Sequence, residues 1–354
     1  MDFATLQNVL NVELQEPLAD LINRSNPVLS AMTKKAVSSQ RIYLKGRLDS
    51  DHAAGAIADG SDVTYAGTEK TTYVNPTLDW ATYISKFSIP KRLIDQVASN
   101  PGQIGSILQE EIEQATKDLA DKIASDLFAG TVANGLVGLQ SMIDDGNTYA
   151  GIDRSSAANA NFRSVVVDNI TAGPTAQELS TAVLNQLDQE FFDANGYGFV
   201  EQPGRFTGVS GAALQNKYRT MMESIDLSAL SNAHFVNQAN SSGQLGIGSV
   251  GFMGVPFLRD RNVSAAAGDE ADTGRLYVLD MSMIDLCVLS SSPDGQIHQI
   301  QGYQSAPDID GIPAKIEILG STGESVNGYV KTYVQLATKD PKAAGCLLKN
   351  TLVV

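Results

Sequence analysis

The chain has 354 residues, 43% of them hydrophobic and 18% charged, and carries a net charge of −15. That is room for about two domains with a sizeable core, while the acidic balance argues against a nucleic-acid binder, which normally presents a basic face. The opening Met1-Asp2-Phe3 leads into neither a basic region nor a continuous apolar run, so no secretory signal is expected, and no stretch approaches the ~20 apolar residues of a membrane span.

Residues 1–40 read as an arm. Phe3, Leu6, Val9, Leu10 and Leu14 have helical spacing, then Pro17 and the pair Asn26-Pro27 interrupt it. A short amphipathic helix of this kind needs a surface to lie on, either its own domain or a neighbour. From residue 42 the pattern alternates. Ile42 to Leu48 and Lys70 to Ile89 read as two strands, with Tyr73, Trp80, Tyr83 and Phe87 among them. Between them lies DHAAGAIADGSDVTYAG, a small, polar, glycine-rich tip, so residues 42–88 are expected to form a long two-stranded arm with too little core to stand alone.

The longest periodic stretch follows, from Asn100 to Gly130. Ile104, Leu108, Ile112, Ala115, Leu119, Ile123 and Leu127 mark one helical face. Such a helix would be about 43 Å long at about 1.5 Å per residue. Asn100 suits an N-cap with Pro101 behind it, and Gly130 suits a left-handed stop. Glu113 with Lys117 and Asp118 with Lys122 are spaced as ion pairs on the outer face, where Asp121 is also placed.

Gly130, Gly135 and Gly138 then punctuate a turn region. Residues 175–193 and Ala212 to Met222 read as helices, and Phe206 to Ser210, Gly251 to Arg259 and Arg275 to Asp280 as strands. Ala314 to Leu319 and Tyr329 to Ala337 form an expected hairpin, and Lys342 to Val354 ends in another strand. The alternation implies a mixed α/β layer.

Catalytic signatures are mostly absent. Gly246 to Gly251 fits the dinucleotide glycine pattern in letters only, because a strand follows it where a helix is required. Gly208-Val209-Ser210-Gly211 falls one position short of a nucleophile elbow. His52, His234 and His298 are isolated, and Asp308-Ile309-Asp310-Gly311 lacks the rest of a calcium loop. Cys287 and Cys346 sit in apolar sequence and read as buried, reduced thiols. Lys34-Lys35 and Arg259-Asp260-Arg261 are too small for a nucleic-acid footprint. No catalytic, cofactor-binding or metal-binding residue is assigned, and a structural role is expected.

The order of these parts resembles the major capsid protein of tailed bacteriophages, with the Hong Kong-97-type fold. The stretches that carry the resemblance are Leu127-Phe128-Ala129-Gly130 with Gly135-Leu136-Val137-Gly138-Leu139, Tyr149-Ala150-Gly151-Ile152-Asp153-Arg154, Gly254-Val255-Pro256-Phe257 with Gly274 to Asp280, and VNGYVKTYVQLATKDPKAAGCLL near the end. The resemblance covers nearly the whole chain and implies an α+β fold. Residues 1–41 would be an N-terminal arm across a neighbouring subunit, and 42–88 an extended β-hairpin loop. Residues 89–130 and 290–342 would form a peripheral domain with a long spine helix, and 131–289 with 343–354 a mixed α/β axial domain.

The same resemblance implies a structural protein that self-assembles into pentamers and hexamers of an icosahedral head around double-stranded DNA, held only non-specifically. Its expected partners are copies of itself, a portal protein and possibly a decoration protein. Some members carry an N-terminal scaffolding segment that is later removed, and here the arm starts at once, which implies a separate scaffolding protein or a chain in its mature form. It would be assembled in the bacterial cytoplasm and reside in the virion, with no membrane and no cofactor. Some members of the family cross-link a loop lysine to a neighbour's asparagine; Lys70 and Asn350 are the pair to consider, and no cross-link is expected. An encapsulin-like compartment shell is the alternative, and an α/β enzyme the next.

Overall fold

The computed structural model describes residues 26–50, 71–92, 95, 101–171, 175–202, 204–228, 251–252, 254–263, 269–270, 272–289, 304–305, 312, 314–322 and 324–353. Residues 1–25 of the expected arm and the tip of the expected hairpin lie outside these.

Two sheets organise the described residues. The first has six strands. Its path runs β1 (Thr33–Val37), β14 (Ile284–Leu289), β17 (Ser325–Thr338), β16 (Lys315–Thr322) and β15 (Gln304–Ser305), and β6 (Ala81–Pro90) also pairs with β17. β6 and β17 alternate, as strands with one buried face must. Tyr83, Phe87 and Ile89 of the first and Val330, Thr332 and Val334 of the second are buried. The long helix, Pro101–Leu127, lies against these two strands with Ile112, Ala115, Leu119, Ile123 and Leu127 in the same apolar cluster. Gly328 of β17 faces Phe87 so closely that a Cβ there would meet the ring at 2.3 Å, which is why the strand carries glycine at that point.

The second sheet has eight strands. Its path is β11 (Gly251–Phe252), β12 (Val255–Arg259), β10 (Phe206–Ser210), β13 (Thr273–Asp280), β18 (Gly345–Leu352), β9 (Thr175–Glu178) and β8 (Ile170–Thr171), with β7 (Val165–Asp168) also on β18. β13 and β18 are buried almost throughout. Leu276, Val278, Cys346 and Leu348 pack with Leu184, Leu187 and Phe191 of the helix Thr181–Asn195, while Tyr277, Leu279 and Leu347 join the cluster of the long helix. One strand pair therefore serves two cores, and its sequence is a near-continuous apolar run, as strands covered on both faces require.

Several expectations are corrected. The stretch from Lys70 to Ile89 is not one hairpin strand. It breaks into β4 (Thr71–Val74), β5 (Thr77–Leu78) and β6, and β6 pairs over ten positions with β17, not with residues 42–48. The hairpin is thus confined to residues 42–78, where β2 (Ile42–Tyr43) pairs β5 and β3 (Gly46–Ser50) pairs β4. The described end of the expected arm belongs to the body. Val28 and Leu29, in the short helix Pro27–Ala31, are fully buried, and β1 lies parallel to β14 at the edge of the first sheet. Lys34 and Lys35 stand on that edge, where charge discourages stray strand pairing. Ile284–Leu289, grouped above with residues 131–289, pairs in the first sheet.

The expected helix from residue 175 starts at Thr181, capped by the Ser180 side chain, because residues 175–178 form β9. β12 and β13, which the resemblance would make a strand pair, are separated by β10. The long helix ends at Leu127, and Gly130 is not left-handed. Instead Gly138 passes so near that a Cβ would lie 2.2 Å from the Ala129 carbonyl oxygen, so the exit loop folds flat against the helix end. On the outer face Lys122 pairs forward with Asp126 at 2.6 Å. Asp121 is no solvated position, since its Oδ1 accepts from Asn26 Nδ2 at 3.0 Å and from the Arg261 guanidinium at 2.9 Å.

Candidate assembly surfaces

The hairpin is the feature least supported by its own chain. Its inward side chains, Ile42, Leu44 and Leu78, are buried where it joins the body. On its other face, at the root and beyond, it turns aromatic groups outward. Among the described residues Tyr73 (73%), Tyr43 (63%) and Leu319 (62%) are the large hydrophobic side chains most open to solvent. Tyr73 stands opposite Arg47, and past that pair the register slips, so that Asp49 faces Thr72. A bulge of this kind bends and twists the ribbon.

The root is held by polar links. Leu44 N donates to the Pro76 carbonyl at 2.9 Å, Trp80 Nε1 to the Ser39 carbonyl at 2.9 Å, and Arg41 pairs with the Asp79 carboxylate at 2.7 Å. The last is exposed on both sides and contributes little to stability. Two further bonds fasten the hairpin to the body: Thr77 N donates to the Ala150 carbonyl at 3.1 Å, and the Gln335 amide donates to the Asp79 carbonyl at 2.8 Å. A crevice of about 190 Å³ opens beside the root, lined by Lys35, Val37, Tyr43, Leu44, Asp285 and Cys287. Lys35 and Asp285 pair across it at 3.3 Å.

A second surface is the face of the first sheet turned away from the long helix. In register, Tyr329 stands opposite Lys86, Lys331 opposite the exposed Ile84, and Tyr333 opposite Thr82. The Lys331 ammonium lies 4.9 Å from the centre of the Tyr333 ring, a cation–π contact, and the Tyr329 hydroxyl donates to Glu317. The face is thus aromatic and carries lysines, on a molecule that is otherwise strongly acidic. In the second sheet, Ile170 on β8 and Phe192 on the helix Thr181–Asn195 are also exposed.

Buried polar groups hold the frame of these surfaces. Asp126, at the acid-unfriendly end of the long helix, is 4% exposed and takes bonds from Lys122 and from the Tyr83 hydroxyl at 2.9 Å. The same hydroxyl accepts from Leu136 N in the exit loop at 3.1 Å. Burial above all, and then the carboxylate beside it, push the Tyr83 phenol well above its ordinary range. Arg154 is fully buried and donates to the carbonyls of Asn147, Met142 and Ser141, while burial lowers its basicity. It sits over the Tyr149 ring, whose own phenol is raised by burial. Arg275 and Asp269 form a buried two-bonded pair at 2.6 and 2.8 Å.

The sequence candidates for chemistry do not converge. Ser210 is buried at the end of β10, its hydroxyl bonded to the Gly211 carbonyl. Burial pushes the Cys287 thiol up to about 11 and the Cys346 thiol well above its ordinary value, so both stay protonated near neutrality. Asn350 uses its amide inside the fold, donating to Asp168 at 2.6 Å and accepting from Glu270 N at 2.9 Å. Arg261 is committed to Asp121. Lys70, the three histidines, residues 246–250, residues 308–311 and the hairpin tip lie outside the described residues. Among the described residues no group of His, Cys, Asp and Glu is arranged to hold a metal ion. Sequence reasoning missed Gln335, Arg154 and Tyr83. A polar residue inside an apolar alternating strand, as in YVQLA, was the available signal for Gln335.

No protein-family model matches the chain, and no curated protein matches it. Solved structures do. The cyanophage A-1(L) capsid asymmetric unit aligns with a TM-score of 0.67 at 15% identity, over 97% of this chain and 99% of that one. A chain from the capsid of an empty GTA particle aligns at 0.56 and 13% identity, over 98% of each. The holo-SrpI encapsulin complex of Synechococcus elongatus PCC 7942 aligns at 0.55 and 13%, over 100% of this chain and 97% of that one. The mixed α/β fold expected from the sequence is therefore one that this chain shares with capsid and encapsulin chains.

Proposed function

We propose that this chain is the major capsid subunit of a tailed bacteriophage, a structural protein that assembles into pentamers and hexamers of an icosahedral head. The observation that carries the reading is the alignment with a cyanophage capsid chain over 97% of this chain and 99% of that one. The exposed tyrosines of the hairpin and the aromatic face of the first sheet support it, because groups of this kind are stabilised when a second molecule covers them. In this reading the hairpin is the loop that reaches a neighbour, the first sheet with the long helix is the peripheral part, and the second sheet the axial part. A portal protein, a separate scaffolding protein and possibly a decoration protein are the expected partners, with packaged DNA held without sequence preference.

Expression of the chain with the scaffolding gene of its own genome, followed by electron microscopy, tests the proposal. Closed icosahedral shells are expected; monomers or fibres under those conditions would overturn it. The encapsulin alignment supports a second reading, a protein compartment. Shells that form without any scaffold and co-purify with a defined cargo enzyme would favour that one.

A further inference from the structure

We propose that Gln335 fixes the angle at which the hairpin leaves the body and ties that angle to the exit of the long helix. The backbone ladder between β6 and β17 ends at Ala81 opposite Val334. One position further on, where the strands part, the Gln335 side chain takes over. Its Nε2 donates to the Asp79 carbonyl at 2.8 Å, and its Oε1 accepts from Val137 N at 2.8 Å and from Leu336 N at 3.0 Å. The residue is 3% exposed, so water does not compete for these groups. One amide thus joins the hairpin root, the loop that leaves the long helix, and the central strand of the first sheet.

A second anchor limits what the hairpin can do. Thr77 N is held by the Ala150 carbonyl, and Ala150 has a φ of 51° in the tight turn from Tyr149 to Ile152. An alanine adopts that conformation only where the surroundings impose it. Two anchor points two residues apart, at Thr77 and Asp79, define a direction as well as a position. The Val137 anchor means that a tilt of the hairpin must either break a buried bond or carry the exit loop with it. The Leu136 amide next to it is pinned to Tyr83, so the loop cannot follow freely.

In a shell subunit, a hairpin that leaves at another angle would meet its neighbour at another angle and change the diameter of the shell. That consequence rests on the reading as a shell subunit, and the coupling itself does not. The test uses Gln335→Met, which keeps length and removes all three bonds, in the full chain before assembly. Hydrogen exchange should speed about tenfold at Val137 and also at Leu44 and Thr77, which do not touch Gln335, while Tyr277 and Leu347 in the second sheet keep their protection. Faster exchange at Val137 alone would overturn the proposal. Should the methionine variant not fold, Gln335→Asn, too short to span both partners, is read in the same way, and failure of both to fold would also overturn it. In assembly with scaffold, the variant should give shells of altered or mixed diameter where the unaltered chain gives one size. Identical shells would overturn the consequence for shell size; no shells from the unaltered chain would instead overturn the capsid reading, and in either case the exchange result decides the coupling.

Discussion

The body and the hairpin are built on opposite terms. The body spends its apolar residues inward, with β13 and β18 shared between two cores and the long helix sealed onto the first sheet. The hairpin buries Ile42, Leu44 and Leu78 on one face at its root and turns Tyr43 and Tyr73 to solvent on the other. A change in the body should appear as lost stability of the single chain, and a change along the hairpin as lost association. The lesson is that the two properties are separable by position in this chain.

The largest effect should come from Leu119→Asp. The side chain is 4% exposed on the inner face of the long helix, and a buried, unpaired carboxylate there should cost about 3–5 kcal/mol. Little folded, soluble chain is expected, and wild-type yield and thermal midpoint would show that the helix face is misassigned. Alkaline titration comes next. The phenols of Tyr83, Tyr149 and Tyr277 are all held above their ordinary 10.0, and the Cys287 thiol is raised from 9.0 to about 11. Below these ordinary values both states keep their protons and the full stability is present. Above them the unfolded chain releases protons that the folded chain retains, so stability falls as pH rises, from about pH 9 to 11 for the thiol and from about pH 10 upward for the phenols. Denaturant midpoints at pH 8, 9.5 and 11 should decline in that order; a flat series would contradict the burial of these groups.

Asp121→Asn should cost less, about 0.5–1 kcal/mol, because its partner Arg261 is partly exposed and the amide oxygen of an asparagine can still accept from Asn26. A drop of a few degrees in midpoint is expected, and no drop would mean that the tie between the helix, residue 26 and residue 261 carries nothing. The smallest effect on the chain itself should follow Tyr43→Ser combined with Tyr73→Ser, within about 0.5 kcal/mol for such exposed positions. The same pair should sharply reduce particle yield. Normal yield would erase the contrast between body and hairpin.

Much of the fold was legible where local pattern and final environment agree. The face of the long helix from Ile112 to Leu127, the β16–β17 hairpin and the closing strand all follow from periodicity. β6 did not, for a physical reason. Alternation states which side chains point inward but not which strand lies alongside, so Tyr83 and Phe87 read equally well as hairpin residues. Asp121 was misplaced because a carboxylate on the outer face of a helix looks solvated until Asn26 and Arg261 arrive from elsewhere in the chain. The hairpin was legible as composition, in its outward tyrosines, but its attachment through Gln335 is tertiary throughout.

The ladder between β6 and β17 has a kinetic side. It matches residues around Ile89 with residues around Val326, so most of the chain must be synthesised before Phe87 and Tyr83 find their cover. Pairings this distant in sequence are slow to form, because a very long loop must close before any contact is gained. Until then a ten-residue strand with an apolar face is open to other chains. A nascent population of this protein should therefore depend on cellular chaperones, and refolding from denaturant should be slow and fall in yield as concentration rises.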